Sequence, residues 1–201
     1  MGIPLYFKKI SEKYSDVITP NLDHRCRTRL YFDLNGAIHP ICRHYLKKIE
    51  YEPLQKANIE RRMLQDLVRY MKKLIQFSQA TEVFIAIDGV APLAKMNQQR
   101  MRRYKSAQER TSNEPYWDTN MISPGTPFMI KLQTYIEECI TKGELHPCFE
   151  REFLKEAKFP NPKVIFSNAN VPGEGEHKIM EQIRSLTEEE SQQENLVIYG
   201  L

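Results

Sequence analysis

No stretch of this 201-residue chain approaches the ~18 consecutive apolar residues that a membrane-spanning helix needs. The opening residues, Met1 to Phe7, carry neither a basic segment nor a small-residue cleavage site, so no secretory signal is visible. Gly2 follows Met1, but Tyr6 stands where the myristoylation pattern needs Ser or Thr. A soluble intracellular protein with no membrane partner is therefore expected. Cysteine is sparse: Cys26, Cys42, Cys139 and Cys148 include no CxxC pair. The one arrangement that hints at zinc is His24 with Cys26 and Cys42 with His44, whose members would share a face if each pair lay on a strand. Zinc sites commonly leave about two to four residues between paired ligands, and here only one intervenes. Reduced thiols are expected instead.

Net charge is small as well, +3, too mild to establish a nucleic-acid partner by itself. Its distribution is uneven. Between Leu93 and Arg110 stand six basic residues against the single acid Glu109, whereas residues 187–194 are acidic and polar and read as a solvated loop. No internal repeat is present. The length allows one α/β domain with a proper core.

What is there alternates. Segments 29–34, 82–87, 163–167 and 196–201 are rich in β-branched and aromatic residues and read as strands. Between them, residues 58–79 place Ile59, Met63, Leu67, Tyr70, Met71, Leu74 and Ile75 at helical spacing. Residues 94–106 read as a very polar helix, 126–142 as a helix capped by Thr126 and stopped by Gly143, and 174–186 as a helix after Pro172-Gly173. A short helix over 3–14 opens the chain. This order predicts a mostly parallel central sheet with helices on both faces. Ligands of such sheets collect at the carboxyl ends of the strands.

Those ends carry acids. The first strand runs into Asp33, the second into Asp88, and the third leads to Glu174 and Glu176. Singly, each has a structural reading: Asp33 and Asp88 stand in turn-forming contexts, and the two glutamates suit a helix N-terminus. Jointly, four carboxylates on one sheet edge must take up protons or hold cations. Hard oxygen donors without thiolates favour Mg2+ or Mn2+. Two such ions ~3.5–4 Å apart suit phosphodiester hydrolysis. Directly after Asp88, Pro92 suits a helix entry, and Lys95, Gln99, Arg102 and Arg103 then fall within roughly a 100° arc. Such a face is either a solvated basic surface or a phosphate pocket. Its charge density suits a terminal phosphate better than an internal diester.

Longer runs of residues sharpen this. Met1-Gly2-Ile3-Pro4, Asp33-Leu34-Asn35-Gly36 with Ile38-His39-Pro40, and Ile87-Asp88-Gly89-Val90-Ala91-Pro92 come first. Ala94-Lys95-Met96-Asn97-Gln98-Gln99-Arg100, Ile122-Ser123-Pro124-Gly125-Thr126 and Val171-Pro172-Gly173-Glu174-Gly175-Glu176-His177-Lys178-Ile179-Met180 follow. In this order, and across the whole chain, the sequence resembles the XRN family of 5′→3′ exoribonucleases, relatives of the flap endonucleases. The resemblance implies a PIN/flap-endonuclease-like fold and a metal-dependent hydrolase that releases nucleoside 5′-monophosphates stepwise from 5′-monophosphorylated single-stranded RNA. It implies metal-site acids at Asp33, Asp88, Glu174 and Glu176, holding a pair of Mg2+ or Mn2+ ions. It places a 5′-phosphate pocket at Lys95, Gln99, Arg102 and Arg103, a nucleotide contact at His39, and a substrate-orienting role at Asn35. Its setting would be cytoplasmic mRNA decay, with nuclear relatives as the alternative.

Two departures accompany the match. Leu93 stands where the family usually has a basic residue. The final segment, Leu196 to Leu201, ends where the family continues into an Asp-Ala-Asp motif supplying further metal ligands. Residues 1–201 are therefore expected to be the N-terminal portion of a catalytic domain, completed by a C-terminal part or a complementary chain. Two other functions stay open at this point: a catalytically incomplete RNA-binding fragment, and a flap-endonuclease-type DNA nuclease.

Overall fold

Four strands, β1 (Thr28–Asp33), β2 (Glu82–Ala86), β3 (Lys163–Ser167) and β4 (Asn195–Tyr199), form one sheet in the order β3-β2-β1-β4. Every neighbouring pair is parallel. The computed structural model describes residues 5–17, 26–108, 116–146 and 161–199. The helices are α1 (Tyr6–Lys13), α2 (Asn35–Leu46), α3 (Lys56–Ser78), α4 (Leu93–Gln108), α5 (Pro127–Thr141), α6 (Gly175–Arg184) and α7 (Glu188–Gln193). An all-parallel sheet between helices is the architecture expected, and it is consistent with a PIN-like fold.

Alternation along the strands divides the core in two. Leu30, Phe32, Val83, Ile85 and Ile87 join the larger cluster with Ile59, Met63, Leu67, Met71 and Ile75 of α3 and Phe128, Leu132 and Ile136 of α5. Tyr31, Phe84 and Ala86 face the other way and pack on Ile179 of α6. The helical spacing read in residues 58–79 thus buries the stripe it predicts. Thr126 caps α5 by accepting from the Met129 N–H.

One helix was not read from the sequence, and one segment differs from expectation. Residues 35–46 are helical although Asn35-Gly36 and Pro40 look like turn residues. Burial of Ala37, Ile38 and Cys42 against the larger core outweighs their poor helix propensity. The acidic stretch 187–194 is not a loop throughout. Thr187 and Glu190 exchange hydrogen bonds as a capping box that starts α7. The α2 helix also removes the zinc arrangement. Residues two apart on a helix diverge, and Cys42 is buried while His44 is exposed. His24, Cys148, the Met1-Gly2-Ile3-Pro4 motif and the last two residues of the fourth predicted strand lie outside the described residues.

Candidate active site

The acids meet because two backbone segments interlock. Beyond β2, the Gly89 N–H donates to the Gly173 carbonyl at 2.9 Å, and the Gly173 N–H donates to the Val90 carbonyl at 3.1 Å. The Asp88 turn is thereby tied to the loop that enters α6. A side chain at Gly89 would place its Cβ 2.0 Å from the Val171 carbonyl oxygen, so this approach requires glycine. One step on, the Gly175 N–H donates to Asp88 Oδ1 at 2.7 Å. A Cβ at Gly175 would lie 2.7 Å from Asp33 Oδ1. Gly175 is therefore wedged between the two aspartates, and Glu174 and Glu176 flank it in sequence.

The electrostatics agree with this crowding. Burial pushes the Asp33 carboxyl above its ordinary value, opposed by the Asn35 N–H and reinforced by the charges of Asp88 and Glu176. Burial also raises Asp88, with the Gly175 N–H opposing and the Glu174 charge adding to the shift. Partly desolvated carboxylates that raise one another are what a hard divalent cation relieves. The donor chemistry of the four acids therefore fits such an ion. Among the described residues, however, no three carboxylates, imidazoles or thiols close into a ready-made metal-binding group. Glu174 turns instead to Lys95, whose Nζ donates to Glu174 Oε2 at 2.5 Å. That bond is the main cause of the raised Lys95 pKa.

Beside the acids lies a cavity of about 570 Å3. Asp88 lines it together with Lys95, Gln99, Arg102 and Arg103 of α4 and Asn35 and His39 of α2. The single-face arrangement read in α4 thus lines one open cavity together with the second acid. Asn35 also donates to Asp33 Oδ1 through Nδ2 at 3.1 Å. His39 is drawn below its ordinary pKa by burial and by Arg43, and its buried Nδ1 has no hydrogen-bond partner among the described residues. Arg103 Nη2 donates to Ser123 Oγ at 2.6 Å, which fixes that guanidinium on the cavity wall.

Three residues of the site escaped the sequence reading. Arg43 lines the cavity with Asn35 and His39, at the i, i+4, i+8 spacing of one helix face. It became visible only once α2 was known to be a helix. Ser123 holds Arg103 as described. Lys178 is 6% exposed and donates from Nζ to the carbonyls of Ile87 and Asn168, both at 2.8 Å. It stitches together the chain just beyond β2 and β3, and its charge acts on Asp88. Its motif was legible, but its burial was not.

The class defined here is a parallel α/β domain with an acid cluster and a cationic cavity at one sheet edge. The chain belongs to the family described as XRN 5′-3′ exonuclease N-terminus, which it matches over residues 1–201. The 5′-3′ exoribonuclease 2 of Emericella nidulans is 34% identical over 253 residues, covering 100% of this chain and 23% of that protein. The proteins of the same name from Schizosaccharomyces pombe and Saccharomyces cerevisiae are 33% and 32% identical. They too are matched by 100% of this chain, which covers 24% and 23% of their lengths. The chain thus spans about a quarter of the length of the curated relatives it matches.

Proposed function

We propose that this chain carries the catalytic N-terminal region of a 5′→3′ exoribonuclease acting on single-stranded RNA with a 5′-monophosphate, in a cytoplasmic setting. One observation carries the reading: Asp88 shares a cavity with Lys95, Gln99, Arg102, Arg103, Asn35 and His39. Acid and cationic chemistry therefore meet along one open cavity. Three cations and an amide on α4 hold the terminal phosphate, the arginines as planar forks and Lys95 as a point charge. His39 packs against the first nucleotide, and Asn35 orients the substrate next to Asp33. Asp33, Asp88, Glu174 and Glu176 would hold Mg2+ or Mn2+, as a pair of ions. When bound, these supply Lewis acidity at the scissile phosphodiester. Hydrolysis there leaves a nucleoside 5′-monophosphate and a new 5′-phosphate that fits the same cavity.

Mononucleotide release from 5′-monophosphorylated RNA, titrated with Mg2+, tests this. Metal-dependent release at least about tenfold faster than from 5′-hydroxyl RNA is expected, matching a charged hydrogen-bond contribution of ~1.5–3 kcal/mol. Branched DNA should be a poor substrate. No metal-dependent release, or a preference for branched DNA, would overturn the reading.

A further inference from the structure

The acid cluster and the cationic face touch at the Lys95–Glu174 contact, and the proposed reaction gives that contact no role. Lys95 Nζ stands 2.5 Å from Glu174 Oε2, with the two side chains 23% and 11% exposed. The pair is thus shielded from the screening that weakens surface ion pairs. Lys95 begins the phosphate-facing stripe of α4, and Glu174 is one of the four acids. Glu174 occupies the N-cap position of α6 yet makes no side-chain capping bond, so the helix does not need its carboxylate where it is. Arg103 differs: it is anchored on the neutral Ser123 hydroxyl and has no acid to surrender in that bond.

We propose that the Lys95–Glu174 ion pair sets specificity by making recognition of a 5′-phosphate conditional on divalent-ion binding. This rests on the function proposed above. A cation arriving at Glu174 replaces the ammonium as the partner of that carboxylate and releases Lys95 to the cavity it already lines. A phosphate arriving at Lys95 frees Glu174 in turn. Each ligand removes a competitor of the other, so their affinities rise together. Thermodynamic linkage requires the two enhancement factors to be equal.

The test uses the chain with Mn2+ and two oligoribonucleotides of identical sequence and non-hydrolysable linkages, one 5′-phosphorylated and one 5′-hydroxyl. Calorimetry should show the phosphorylated oligonucleotide tightening Mn2+ binding by roughly 5- to 50-fold over the hydroxyl one. Mn2+ should raise the preference for the phosphate by the same factor. In Lys95→Met, Mn2+ alone should bind more tightly than to the unaltered chain, and the enhancement should fall close to one. Glu174→Gln should show the phosphate preference without Mn2+ that the unaltered chain shows with it. An enhancement unchanged in Lys95→Met would mean direct attraction between ion and phosphate, and would overturn the switch. So would Mn2+ binding no tighter to that variant. If the unaltered chain binds both ligands with an enhancement of one, the switch falls and the functional reading survives. If it binds neither, both fall together.

Discussion

The two ends of the sheet carry similar charges and treat them oppositely. At the amino end, Arg29 is ringed by carboxylates. Its Nη1 lies 3.0 Å from Glu82, its Nη2 lies 2.7 Å from Glu190, and its Nε bonds Glu194. Arg27 and Lys163 stand 3.8 and 3.7 Å from Glu194 and Glu82. Every acid of that cluster has a cation within the protein. At the carboxyl end, Asp33 and Asp88 rest on main-chain and amide N–H groups. Burial and mutual repulsion raise both, and Lys178 gives its hydrogen bonds to carbonyls. The amino end is neutralised from within and serves cohesion, fastening α7 to the sheet. The carboxyl end pairs Glu174 with Lys95 but gives Asp33 and Asp88 no ion-pair partner among the described residues, and their repulsion is free energy available to a ligand.

Breaking the contrast at the carboxyl end should have the largest effect. Asp88→Asn should reduce mononucleotide release on the order of a thousandfold, about 4 kcal/mol in the barrier. The amide oxygen can still accept from Gly175, so the melting temperature should hold or rise; retained turnover would remove Asp88 from the chemistry. At the amino end the sign reverses. Arg29→Met leaves Glu82 and Glu194, whose side chains are 17% and 9% exposed, only the longer contacts to Lys163 and Arg27, and should lose about 3 kcal/mol of stability in denaturant titrations.

Smaller changes sharpen the comparison. Arg102→Ala should weaken discrimination between monophosphate and hydroxyl ends by ~1.5–3 kcal/mol, leaving unfolding unchanged; an unaltered preference would remove it from the pocket. Lys178→Met leaves two carbonyls unpaired but also relieves a buried ammonium, whose pKa burial already lowers. A net loss of about 1–2 kcal/mol is expected by thermal unfolding.

The mildest effect is in pH. Asp33 and Asp88 are raised in the fold, so the folded state holds more protons than the unfolded one just above the ordinary aspartate value of 3.8. Their contribution to metal-free stability therefore grows as pH falls through that window and is lost as pH rises. Glu190 is lowered, first by the Thr187 N–H and also by Arg29, so its contribution is present above the ordinary glutamate value and lost on acidification. Melting temperatures across pH 3–7 should show Asp33→Asn and Glu190→Gln altering the slope in opposite directions. Equal slopes for both variants would erase the distinction.

Much of this site was legible in the sequence because its signals are short-range. Asp33 and Asp88 follow β-rich runs that end at once, and α4 writes Lys95, Gln99, Arg102 and Arg103 onto one face with a period of about 3.6. The α2 helix was not legible. Its Asn35-Gly36 start and internal Pro40 are turn-forming locally, and only packing on α3 decides them. Arg43 was hidden for the same reason. The α7 cap was written plainly as Thr187 and Glu190, but the surrounding acids masked it.

By itself, then, the amino-acid order determined the alternation of strands and helices, the acids at the strand ends and the cationic stripe beside them. Each depends on residues within a few positions of one another. Tertiary structure alone decided that Gly175 wedges between Asp33 and Asp88, that Lys178 is buried against the carbonyls of Ile87 and Asn168, and that Lys95 reaches Glu174 across 79 positions. Contacts of that range depend on the order in which parallel strands assemble, and no local period encodes it.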